Sequence, residues 1–256
     1  MYNDKMMMPL SHQWFDGFFY AALAGYLISV FLSFRMKGIA LFTAVSCHTI
    51  AISIRTVSAG RIPLAGVFDT LSFFALATAV CSGLFYRKYR RMTFLQGGTI
   101  LAAMMLSCDL LAPRELYPLP PVLRTVWFEI HVGLSFISYA LFAVGFLGGL
   151  DYFLSGRREE VLEAEYRANL RGYLLFSVAM IAGGIWAYYA WGTYWLWTPK
   201  ELWTTIVWFY YSLYLHARIV RGWKDSTRAV LAMTGFAVVL FTYAGVGLLM
   251  KSSHSF

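Results

Sequence analysis

The sequence predicts an all-α integral membrane bundle of about eight spanning helices, with both termini outside. Three observations predict it. Apolar runs of about 18 residues or more recur along the chain, and runs of that length cross a bilayer as helices. Hydrophobic residues make up 59% of the chain and charged residues 13%. The period-two alternation of outer-membrane strands is absent. A bilayer offers backbone groups no water, so helices are the remaining solution.

The runs fall near 15–34, 38–57, 66–86, 93–112, 130–154, 172–190, 202–219 and 229–250. The first is too long for a cleavable signal peptide, and no small-residue cleavage site follows it. The second carries His48 in mid-span. An ionisable group there is a functional candidate, although a neutral histidine bonded to a neighbouring helix is the favoured reading. The third and fourth carry Cys81 and Cys108, and Cys47 lies in the second. None forms a CxxC pair, so these cysteines read as small core residues, not as a redox or zinc centre. The link "APRELYPLPPVLRTVW" holds four of the seven prolines and is expected to be an extended loop. His131 opens the fifth run. The charged link "SGRREEVLEAEYRANLRGY" before the sixth reads as a short helix or frayed helix ends. His216 lies near the inner end of the seventh run, and His254 follows the eighth. No soluble domain stands apart, so residues 1–256 read as one transmembrane domain.

The net charge of +8 is topology, not a nucleic-acid surface. Four alternate segments hold fourteen of the 21 lysines and arginines, among them Arg87, Lys88, Arg90 and Arg91. The other five segments hold seven. Positive residues stay in the cytoplasm. The stretch "WGTYWLWTPKELW", Trp191 to Trp203, then falls in an outer loop. Trp186, Tyr188, Tyr189, Trp191, Tyr194, Trp195, Trp197 and Trp203 crowd the boundary across 186–203. An interfacial aromatic belt needs one or two rings per helix end. Here the rings continue through the loop, as a platform for a flat apolar ligand would.

His131 and His254 are expected at the same depth as this loop. Taken singly, each reads as an interfacial polar residue. Their co-location with the aromatic shelf suits the two axial positions of a haem iron, which neutral imidazoles fill.

These residues resemble a known pattern. "WGTYWLWTPKELW" resembles the tryptophan-rich WWD signature of cytochrome c maturation proteins, in the form W-G-x-Y-W-x-W-D-P-K-E-x-W of the CcsA/ResC (system II) branch. Tyr214-Leu215-His216-Ala217-Arg218 matches that branch's Y-L-H-x-R. Ile130-His131-Val132 with Ser138-Tyr139-Ala140 matches its fifth-helix entry. "PLAGVFDTLSF" echoes P-L-S-N-x-Y-E-S-L-x-F, and "SHSF" echoes a final H-S-Y. Thr198 stands where the signature has aspartate, Ala65-Gly66 where it has Ser-Asn, and Asp69 where it has glutamate.

The resemblance implies a haem-handling protein of the cytoplasmic membrane, with its haem loop on the extracytoplasmic face. It implies that His131 and His254 hold haem b beside Trp191, Tyr194, Trp195, Trp197 and Trp203, and that His216 holds it earlier within the membrane. It further implies a CcsB/ResB-type partner, apocytochrome c with its CxxCH cysteines as acceptor, and a share in a haem-lyase complex. Lys200, Arg124 and Arg114 are candidate partners for the haem propionates. Two alternatives stay open. One is a HemX-like haem-binding regulatory or assembly protein without attachment activity. The other is a transporter of a non-haem apolar substrate, which should show internal helical repeats that the sequence lacks.

Overall fold

A computed structural model describes residues 4–32, 34–156, 158, 160–220 and 222–249, with backbone alone for 4–12, 34, 35, 247 and 248. The described residues form helices and connecting turns, with no strand among them. Eight long helices follow one another: α1 (Asp4–Phe31), α2 (Phe34–Ala59), α3 (Val67–Tyr89), α4 (Met92–Asp109), α5 (Val126–Leu154), α6 (Glu160–Trp191), α7 (Pro199–Ile219) and α8 (Asp225–Leu240). A π-helical turn, Phe241–Gly245, and a last turn, Val246–Leu249, continue α8.

Each of the eight apolar runs coincides with one of these helices. Among the described residues, α1, α2, α3, α5, α6 and α8 are long and apolar enough to cross a membrane by length and composition. The other two, α4 and α7, are 18 and 21 residues long and pack into the same bundle. The protein is a polytopic helical membrane bundle.

The chain folds as successive antiparallel pairs around α5. That helix is apolar on every side, which suits a bundle centre. It is 61% buried along its span, against 28% for α2. It touches α3, α4, α6 and α8. Gly148 and Gly149 let two neighbours approach closely, as small residues do in membrane bundles. A Cβ at Gly148 would lie 2.7 Å from Glu165 Cβ on α6, and one at Gly149 would lie 2.8 Å from Ala229 O on α8.

Polar ties fasten the two ends. Asp151 of α5 accepts from Arg91 Nε at 2.6 Å, from Arg91 Nη2 at 3.0 Å and from Thr93 Oγ1 at 2.6 Å. This planar fork is the geometry in which arginine and carboxylate bond best. At the opposite end, Arg55 of α2 pairs with Asp69 of α3 and lies over the Phe68 ring at 4.8 Å. Both partners of that pair are buried.

From Glu160 onward the charged link before the sixth run is helix, the first turns of α6. Glu160 and Glu163 occupy its first turn, where the helix dipole favours acids. Arg167 donates to Glu163 at 2.6 Å, an i,i+4 pair. Val161, Leu162, Ala164 and Ala168 are buried, so this stretch is amphipathic. The proline link is extended, as expected, apart from one short turn at Pro121–Leu123.

Candidate functional site

The end of the bundle that carries the tryptophan loop encloses a cavity of about 550 Å³. Its size suits a small-molecule or cofactor site. Each wall comes from a helical stripe. On α5, His131, Ser135 and Tyr139 recur every four residues and face inward together. On α6, Phe176, Met180, Gly183 and Ala187 form the facing stripe. Gly66, Val67 and Thr70 of the α3 entry, Lys200 and Thr204 of α7, and Thr242 and Tyr243 of the π-helical turn complete the lining. The Tyr243 and Thr70 hydroxyls are 3.0 Å apart and tie the π turn to α3. The lining is mostly apolar and aromatic, with a few polar groups, as a cofactor pocket requires.

His131 is the imidazole on this wall. Its Nδ1 lies 2.8 Å from the Ala179 carbonyl oxygen of α6. A carbonyl only accepts, so Nδ1 carries the proton and Nε2 is the nitrogen with the lone pair. That is the arrangement in which a histidine binds a metal, its other nitrogen fixed by a backbone oxygen. Two neighbours hold the ring. Gly183 leaves it space, since a Cβ there would lie 2.6 Å from His131 Nδ1. Trp186 stacks on it, with centroids 6.0 Å apart and planes 24° apart. Trp186 is itself anchored, its Nε1 donating to Val122 O at 2.8 Å.

The tryptophan loop is layered. Trp195 lines the cavity. Trp191 stands behind, its ring edge-on to Trp186 at 5.1 Å. Trp203 packs on Phe241 of the π turn at 4.4 Å. Tyr194 is 61% exposed and stacks on Tyr188 at 4.7 Å. Trp197 is 70% exposed and takes a φ of +57°. The five rings expected on one shelf therefore divide: one faces the cavity, two support its wall and two face away from it.

Thr198 and Glu201 start α7. The Thr198 Oγ1 accepts from Glu201 N at 3.4 Å, and Glu201 Oε2 accepts from Thr198 N at 3.0 Å and Leu196 N at 2.9 Å. This is a capping box, with Pro199 at the first helical position. Thr198 is not among the residues lining the cavity. Lys200 and Glu201 both line the cavity: the Glu201 carboxylate is held by the backbone N–H groups of Leu196 and Thr198, and Lys200 is a half-buried cation.

The remaining candidates lie elsewhere. His216 is exposed in the last turn of α7, away from the cavity. His48 is fully buried among α1, α2 and α3, with Nδ1 at 3.3 Å from Tyr26 OH and Nε2 at 3.0 Å from Ser72 Oγ. Arg124 is exposed and donates to Leu119 O at 2.9 Å. Arg114 donates to Asp16 Oδ1 at 3.4 Å and to Tyr20 OH at 3.1 Å. Neither arginine lines the cavity. His254 lies outside the described residues. The sequence reading left out Ser135, Thr70 and Tyr243. The four-residue rhythm from His131 through Ser135 to Tyr139 is the signal that pointed to the first of them.

Residues 64–254, which contain the whole cavity wall, match the family described as Cytochrome C assembly protein. This chain belongs to that family. Among its relatives is the cytochrome c biogenesis protein CcsA of Chlamydomonas reinhardtii, 30% identical over 226 residues, which cover 79% of this chain and 63% of that one. CcsA of Guillardia theta is 30% identical over 253 residues, 84% of this chain and 83% of the relative. CcsA of Prochlorococcus marinus strain NATL2A is 29% identical over 248 residues, 79% of each. The family places the chain in cytochrome c biogenesis.

Proposed function

We propose that the cavity holds haem b for delivery to apocytochrome c, with His131 on the iron. One observation carries this reading: an imidazole stands on the wall of an aromatic cavity with Nδ1 fixed by the Ala179 carbonyl. The cavity's apolar rings take the porphyrin faces. By the family resemblance, the second axial nitrogen is assigned to His254, which lies outside the described residues. His216, near the other end of α7, meets haem before it reaches the cavity, together with a CcsB/ResB-type partner. At the cavity each cysteine S–H of a CxxCH segment adds across one haem vinyl C=C. A C–S and a C–H bond form, and nothing is released. The protein contributes position and effective concentration to this step. The site belongs on the extracytoplasmic face of the cytoplasmic membrane.

The HemX-like alternative rested on Thr198 in place of the family aspartate. Threonine and aspartate both cap helices, and Thr198 caps α7 here. The departure therefore gives that alternative no support.

The test is the absorption spectrum of the full chain purified in detergent, oxidised and then reduced with dithionite. The unmodified protein should show a Soret band. His131→Ala should lose bound haem or shift the band, and added imidazole should restore it, because a free ligand fills an open iron position. A His131→Ala spectrum identical to that of the unmodified protein would remove His131 from the iron.

A further inference from the structure

A second cavity, of about 250 Å³, adjoins the first. Ala65, Gly66, Val67 and Leu123 line both, so the two share a wall. The smaller one lies between the turn after α2, the start of α3 and the proline loop, with Pro113, Pro118 and Pro120 on its far side. It is too small for a porphyrin ring beside the 550 Å³ of its neighbour. Its wall is mainly apolar, like that of the large cavity, and it differs from that cavity in holding two guanidinium groups, Arg55 and Arg61.

The charges in this cavity are unevenly matched. Arg55 is paired with Asp69, and its Nη1 donates to Arg114 O at 3.0 Å. Glu115, the other carboxylate in the wall, accepts from the Tyr117 hydroxyl. Arg61 has no carboxylate bonded to it among the described residues. Its Nη2 donates to Tyr117 O at 3.1 Å, while its Nη1 is buried with no hydrogen-bond partner among the described residues. A buried donor left without an acceptor is costly, and such groups mark places where a ligand or water completes the bonding. The start of α3 adds to this. Its N-cap is Gly66, at a φ of +88°, and no side chain caps the helix. Gly66 and Val67 put this helix start on the wall shared by both cavities, where the positive end of the helix dipole favours an anion, and Asp69 of the same turn is taken up by Arg55.

We propose that this smaller cavity is a carboxylate subsite, built around Arg61 and the α3 N-terminus, that takes a propionate arm of the tetrapyrrole whose ring lies in the larger cavity. The proposal rests on the haem reading above. It assigns the carboxylate to Arg61 in place of Arg124 and Arg114, which are bonded elsewhere. A guanidinium with a donor to spare matches a carboxylate better than an ammonium does. An anchored acid edge fixes the ring's rotation about the His131–iron axis, and that rotation decides where the vinyl groups lie.

The experiment titrates the full chain in detergent with haem and, separately, with haem dimethyl ester, which has the same ring and iron but no acid groups. The unmodified protein should bind the free acid about tenfold more tightly, the worth of one charge-assisted hydrogen bond. Arg61→Gln should bind both forms equally, with the same Soret position. Arg61→Lys should keep part of the preference, which separates loss of charge from loss of fold. A preference that survives Arg61→Gln, or that disappears with Lys200→Gln instead, would place the carboxylate elsewhere. Equal binding of both forms by the unmodified protein would overturn the subsite and leave the haem reading standing. Binding of neither form would overturn both.

Discussion

At position 183 one methyl group decides where His131 stands. Gly183 and His131 sit on facing helices, and a Cβ on the glycine would lie 2.6 Å from Nδ1. The Nδ1 contact to Ala179 O requires that space. Gly183→Ala should therefore push the imidazole off the carbonyl. Loss of such a supporting bond typically costs about tenfold in metal affinity, while overpacking at one point costs about 1–3 kcal/mol of stability. We expect Gly183→Ala to fold and to retain about a tenth of the haem through purification. Haem content measured by pyridine haemochrome decides it, and retention equal to the unmodified protein would mean that the Ala179 contact does not position His131. Residue type alone does not separate this histidine from His48. Both are histidines in apolar helices. Only the neighbours differ: His48 meets hydroxyls from two helices and lines neither cavity described above, the inter-helix contact that a neutral histidine makes.

The start of α7 shows how far an element can be read from its sequence. Thr198-Pro199-Lys200-Glu201 spells a capping box with proline at the first helical position, so this boundary was legible. The register of α5 was also legible, since His131, Ser135 and Tyr139 share one face by spacing. The helical character of the charged link was legible too, although its continuity with the sixth span was not. Two further features were not. The division of the tryptophan loop depends on Gly192 at φ +76° and Trp197 at φ +57°, which spacing rules do not reveal. The π turn at Phe241–Gly245 follows contacts to α3 and α7 through Tyr243 and Phe241 that are remote in sequence. The cap carries a prediction of its own. Thr198→Ala should lower the stability of the detergent-solubilised protein by about 1 kcal/mol, the usual worth of an N-cap. Thr198→Asp should be neutral or slightly stabilising, because an acid at this position also meets the helix dipole. Thermal unfolding that ranks alanine level with aspartate would show that the cap does not hold α7.

The whole molecule is polarised along its long axis. Arg87, Lys88, Arg90, Arg91, Arg167, Arg171, Arg218, Lys224 and Arg228 gather at the end where α3, α5 and α7 finish. The cavity, its smaller neighbour and the tryptophan loop occupy the opposite end. Basic residues are retained in the cytoplasm during insertion, so this polarity predicts the sidedness of the site. Apocytochromes c meet haem outside the cytoplasm in the proposed reading, and a cavity on the inner face would be useless to them. A cysteine at Thr193, in the tryptophan loop, should react with a membrane-impermeant maleimide added to intact cells. A cysteine at Lys88, in the basic end, should react only after lysis. The native cysteines complicate the background: Cys108 is exposed next to the last residue of α4, at the same end as the loop. Both tests therefore belong in a Cys108→Ser background, with Cys47 and Cys81, only partly buried, checked for silence. Labelling of Lys88→Cys in intact cells, with Thr193→Cys silent until lysis, would invert the bundle. The cavity would then face the compartment where haem is made and not the one where it is attached, and the delivery reading would have to give way to one of uptake or sensing at the inner face.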